Sequence, residues 1–104
     1  MIDLAPEHRK ELIQIFSDYA PGGRLIAFGS RTLSKAKPHS DLDVLLDARA
    51  ELAPLDRAKL RMALEESNLP MKVDWQLLHE APGFIASQAH AENTMTLSDA
   101  PVSG

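Results

Sequence analysis

Two spacings of apolar residues alternate along the chain, one of three to four positions and one of two. From Pro6 to about Tyr19, the residues Leu12, Ile15, Phe16 and Tyr19 fall at i, i+3, i+4 and i+7, which is one face of a helix. Pro6 suits the first turn, where a missing N–H costs nothing, and Pro21-Gly22-Gly23 stops the element. Leu25-Ile26-Ala27-Phe28 is a short apolar run between turn residues, the form of a buried strand. Gly29 to Ser40 is polar, with Pro38 near its end, and reads as a short helix or loop. Asp41 to about Leu46 reads as a second strand. Leu55 to about Ser67 reads as a second long helix, with Leu60 and Leu64 one turn apart and a stop at Asn68-Leu69-Pro70. Lys72 to Leu78 reads as a third strand, and Pro82 to about Asn93 as a last helix anchored by Phe84 and Ile85.

This succession predicts an α/β or α+β sheet with helices on at least one face. The strand phases say more, because successive side chains point to opposite faces. Leu42, Val44 and Leu46 share one face of the second strand, and Val73, Trp75 and Leu77 share one face of the third. Asp41, Asp43 and Asp74 fall on the opposite phase. The economical arrangement packs helices on the apolar face and leaves three carboxylates on the other. With no repeat and no long linker, residues 1–97 form one expected domain, and 98–104, small and polar, an expected flexible tail.

Composition narrows the class. A chain of 104 residues has the length of one small domain, with 44% hydrophobic and 25% charged residues, both ordinary for a soluble protein. No apolar run approaches the roughly 18 residues of a membrane span. The first residues have neither a basic start nor an apolar core, so no signal peptide and a cytoplasmic protein are expected. The absence of cysteine removes disulfides and thiolate metal sites. A net charge of -4 argues against a protein whose task is gripping long nucleic acid, but not against nucleotides, since a divalent cation supplies positive charge locally.

Asp is disfavoured in strands, so two at i and i+2 in a short apolar strand need a reason. Their carboxylates lie on one side, roughly 6–7 Å apart along the backbone, and raise each other's pKa unless something positive sits between them. Mg²⁺ is the natural partner, and Asp74 on a neighbouring strand would let the site hold two ions, the clamp used for in-line displacement at phosphorus. Taken alone, a D-x-D pair also fits an ordinary solvent-facing edge strand. Phe28-Gly29-Ser30-Arg31 is a turn after a buried strand, where backbone N–H groups, the Ser30 hydroxyl and the Arg31 guanidinium can receive a phosphate. Taken alone, it is simply a turn. It is neither a G-x-x-x-x-G-K-[ST] loop nor a G-x-G-x-x-G loop.

Together the two signals carry weight. Gly29-Ser30, nine residues, Ser40-Asp41-Leu42-Asp43 and a later Asp74 in Lys72-Val73-Asp74-Trp75 resemble the signature of the polymerase-beta-type nucleotidyltransferase superfamily. The stretch from Ala27 to Val44 resembles its small branch, the minimal nucleotidyltransferases, and the likeness runs from the first helix through the strand of Asp74. The resemblance implies an α+β fold, α/β-like, with a small mixed sheet of three to four strands and helices on one face. It implies nucleotide binding by Gly29, Ser30, Arg31 and Ser40, and catalysis and metal binding by Asp41, Asp43 and Asp74. It implies Mg²⁺, two ions, with ATP or another nucleoside triphosphate as substrate. The sequence departs from relatives at Leu33, Ser34 and His39, where a basic residue and two glycines are common. Lys35 and Lys37 could compensate for Leu33.

The reading is therefore an Mg²⁺-dependent nucleotidyltransferase moving an adenylyl group to a hydroxyl. The chain has little room for an acceptor-binding domain, so the acceptor is expected on another chain. The resemblance implies a helical HEPN-type partner and a toxin–antitoxin pair in which this chain is the antitoxin. Two other readings stand beside it: a non-catalytic antitoxin acting by contact, and a small-molecule transferase of the aminoglycoside type. Trp75 is expected in the core, His39 as a loop residue beside the carboxylates, and His8, His79 and His90 fit no metal spacing.

Overall fold

The computed structural model describes residues 4–28, 41–87 and 93–98. Helix α1 spans Pro6–Tyr19 and strand β1 Arg24–Phe28. Strand β2 spans Leu42–Asp47, helix α2 Pro54–Glu65 and strand β3 Val73–Leu77. A 3₁₀ turn, Leu78–Glu80, and a one-turn helix α3, Gly83–Ala86, lead to strand β4, Thr94–Thr96. The strands form one sheet in the order β3-β2-β1-β4. β1 pairs antiparallel with β2 and with β4, while β2 and β3 run parallel, so the sheet is mixed.

Both long helices begin at a proline in the first turn, after an alanine with extended backbone that offers no side-chain cap. Packing, more than capping, therefore holds them. Leu12 and Phe16 from α1 and Leu60 from α2 are fully buried against Leu25, Leu42, Val44 and Leu46 of the sheet. Trp75 joins this core, and its ring meets Phe16 edge-on with centroids 6.0 Å apart. The predicted separation of faces holds: the residues in phase with Val44 and Trp75 go inward under the helices. The far face is apolar at its centre, because the register partners Ile26 and Leu45 are both buried there.

The turn between α1 and β1 is tight. Gly22 has φ +77, and a Cβ on Gly23 would stand 2.7 Å from the Asp47 carbonyl. The same turn fastens the segment after β4: Gly22 N–H donates to the Ser98 carbonyl, Leu97 N–H to the Gly23 carbonyl, and Ser98 N–H to the buried Ser17 hydroxyl. The first residue of the expected tail is thus held on both its backbone groups.

Two expectations for the C-terminal third are corrected. The helix expected over Pro82–Asn93 is described only as Gly83–Ala86, and Phe84 is no anchor, being 73% exposed. Ile85, the other expected anchor, is half-buried in the same turn, and successive helical residues point about 100° apart, so seating Ile85 leaves Phe84 to solvent. Thr94-Met95-Thr96-Leu97 forms the short strand β4 and its continuation, with Met95 and Leu97 buried in the core. Residues 88–92, also within the expected helix, lie outside the described residues.

Phe16→Ala tests this packing. Removing a fully buried ring that also contacts Trp75 should cost about 3–5 kcal/mol in urea unfolding.

Candidate active site

Strand alternation gathers the carboxylates. Leu42 and Val44 are fully buried, so Asp43 between them must point to the other face, where it is half-buried. Asp43 is the register partner of Asp74 across the parallel β2–β3 pair, and neighbouring strands lie about 4.8 Å apart. Asp41 stands one residue before β2, exposed. The third strand repeats the logic: Trp75 turns to the core, and Asp74 turns away from it, exposed.

Burial pushes the pKa of Asp43 up, and the negative charges of Asp74 and then Asp41 push it further in the same direction. Asp47, farther along the same strand face, shows what is missing. Its register partner is Arg24, whose Nη2 and Nε donate to Oδ2 at 2.5 and 3.1 Å. Asp43 has Phe28 in the corresponding place on β1, which carries no charge. Among the described residues, Lys72 pairs with this group, its Nζ 3.6 Å from Asp74 Oδ1. With Lys72 74% exposed, solvent screens that pair strongly.

Among the described residues, no three His, Asp or Glu side chains are drawn together closely enough to hold a metal ion as they stand. The donor set still suits a divalent cation. All three groups are hard oxygen ligands on one face, and their mutual repulsion is what a Mg²⁺ ion would relieve.

Gly29, Ser30, Arg31 and Ser40, expected to bind nucleotide, lie outside the described residues, as do Leu33, Ser34, Lys35, Lys37, His39 and His90. The described chain ends on either side of them at Phe28, the register partner of Asp43, and at Asp41. His79 lies on the 3₁₀ turn with its Nε2 3.7 Å from Glu80. Sequence reasoning gave Lys72 no role, although its spacing of i, i+2 from Asp74 placed it on the carboxylate face. It also missed a cavity of 520 Å³ bordered by Asp74, Lys72, Trp75 and the end of α2.

The sequence matches the family described as polymerase beta, nucleotidyltransferase, over residues 10–100. A probable protein adenylyltransferase of Haemophilus influenzae, MntA, is 37% identical over 73 residues, which are 70% of this chain and 64% of that protein. The chain thus spans just under two thirds of the length of this curated relative. Among solved structures, a toxin–antitoxin crystal structure with AMP-PNP superposes with a TM-score of 0.64 at 24% identity, over 84% of this chain and 69% of the other. A mutant MntA–HpeT toxin–antitoxin structure gives 0.59 at 23%, over 86% and 69%. These two share the fold.

The raised pKa of Asp43 has a thermodynamic consequence. A carboxyl whose folded pKa lies above its unfolded one takes up protons on folding between the two values, so it weakens the fold as pH rises through that window. Asp43→Asn should therefore be more stable than wild type at pH 7. The advantage should shrink as pH falls to the ordinary carboxylate range near about 4, read by thermal unfolding against pH.

Proposed function

Because the chain belongs to the polymerase beta nucleotidyltransferase family, we propose that it transfers a nucleotidyl group, adenylyl from ATP, to a hydroxyl of a partner protein. The observation that carries this reading is the Asp43–Asp74 register with Asp41 two residues upstream. Three carboxylates repel one another on one face of a sheet whose other face is the core.

In this reading Asp41, Asp43 and Asp74 hold Mg²⁺, two ions when the triphosphate is bound. When bound there, Mg²⁺ would supply charge neutralisation at the phosphate oxygens and their alignment for in-line displacement. Gly29, Ser30, Arg31 and Ser40 receive the triphosphate. The acceptor oxygen attacks the α-phosphorus, its bond to phosphorus forms as the bond to pyrophosphate breaks, and Asp74, exposed on the edge strand, takes the hydroxyl proton.

The acceptor is proposed to lie on another chain. The relative from Haemophilus influenzae is named as a probable protein adenylyltransferase, and the neighbours in fold are toxin–antitoxin structures. A helical HEPN-type protein encoded with this chain is the proposed partner, with this chain as the antitoxin that modifies it. Among the described residues no helix is long and apolar enough to cross a membrane, and the cytoplasm, where ATP and Mg²⁺ are abundant, is the proposed site of action.

Incubation with labelled ATP, Mg²⁺ and the HEPN-type protein should label that protein. Asp41→Ala with Asp43→Ala removes the metal's charge stabilisation, worth several kcal/mol, and should lower the rate roughly a thousandfold or more. If the double variant neutralises the partner as well as wild type does without labelling it, neutralisation is by contact and the enzymatic reading fails; if it labels the partner as well as wild type does, Asp41 and Asp43 do not carry the transfer.

A further inference from the structure

Among the described residues, strand β3 ends the sheet. The Leu42 N–H donates to the Lys72 carbonyl at 2.8 Å, which fixes the phase of the parallel ladder. Main-chain groups of Lys72, Asp74 and Gln76 turn toward β2, and those of Val73 and Trp75 turn outward. No hydrogen bond to those outward groups is formed among the described residues. An edge in this state is a template for another strand. Beneath it, between β3 and the C-terminal half of α2, lies the 520 Å³ cavity that borders Asp74. A second cavity of 440 Å³ continues along the strand, and Arg61 and Trp75 border both.

We propose that this edge is the acceptor-docking site: an extended segment of the acceptor protein adds as a fifth, antiparallel strand beside β3, with its hydroxyl-bearing residue opposite Asp74. The inference rests on the nucleotidyl-transfer reading and says where the acceptor binds. Val73 and Trp75 supply the hydrogen-bonded positions of the new pair. The residue opposite Asp74 then occupies a non-hydrogen-bonded position, with Cα atoms about 4.5 Å apart and side chains close on the same face. That face carries Asp41, Asp43 and Asp74, so register alone delivers the hydroxyl to the carboxylates. The residues flanking the hydroxyl point the other way, into the cavities. There the exposed Arg61, which forms no ion pair among the described residues, offers its guanidinium to an acidic neighbour of the hydroxyl. The occupant is thus a hydroxyl residue next to an acidic one, in an extended segment. Strand addition of this kind takes affinity from main-chain bonds and specificity from alternate side chains.

The test uses the whole chain with the HEPN-type protein. Val73→Pro removes one outward N–H and thickens the edge, yet it sits at the first position of an edge strand, where proline is tolerated. Arg61→Glu changes an exposed side chain and leaves the fold alone. Each should raise the KM for the acceptor by about tenfold, the size of one or two lost hydrogen bonds, with kcat and the KM for ATP unchanged. In hydrogen exchange, the amides of Val73 and Trp75 should slow when the partner is added. They should slow equally in the Asp41→Ala, Asp43→Ala double variant, which transfers nothing. If wild type transfers label while these two amides exchange at the same rate with and without partner, the docking site is wrong and the transfer reading stands. If the amides slow but wild type transfers no label, the edge docks the partner and the transfer reading fails.

Discussion

In the parallel register of β2 and β3, Asp43 lies beside Asp74, and the residues that alternate with them are committed to the core. A shift of one residue in either strand would send a carboxylate under the helices and a Leu or Trp into water, so the core and the carboxylate face enforce each other. Burying Leu42, Val44 and Leu46 beneath α1 and α2 drives the arrangement. The cost falls on Asp43, half-buried and next to two like charges, with no arginine among the described residues of the kind that serves Asp47. A destabilised ionic position kept by strong packing around it is the form that metal and catalytic sites take.

Much of this was legible in the sequence, for identifiable reasons. The bounds of α1 follow from a four-residue apolar face between Pro6 and the Pro21-Gly22-Gly23 stop, and the helix observed is Pro6–Tyr19. The strand phases followed from alternation alone, and the placement of Trp75 in the core with them. The misreadings share a cause: elements too short for a period to declare itself. β4 has three residues, and Phe84 looked like an anchor only while a full helix was assumed around it. The cavity at the edge of β3 depends on which strand is outermost, and strand order is not written in local periodicity. The turn at Gly29-Ser30-Arg31, expected from its motif to receive phosphate, lies outside the described residues.

The domain is economical. One face of a four-stranded sheet is spent on the core, and the Gly22-Gly23 turn ties down the end of β4. Among the described residues, what remains beside the core is the other face and the edge at β3, and the carboxylates sit where those two meet.

The most direct test of the central claim is to find where a divalent cation binds. Mn²⁺ added to the chain with a non-hydrolysable ATP analogue broadens the amide resonances near it. The account predicts broadening centred on Asp41–Asp43 and Val73–Trp75, abolished by Asp43→Asn. Broadening centred elsewhere, or unchanged in Asp43→Asn, would contradict it.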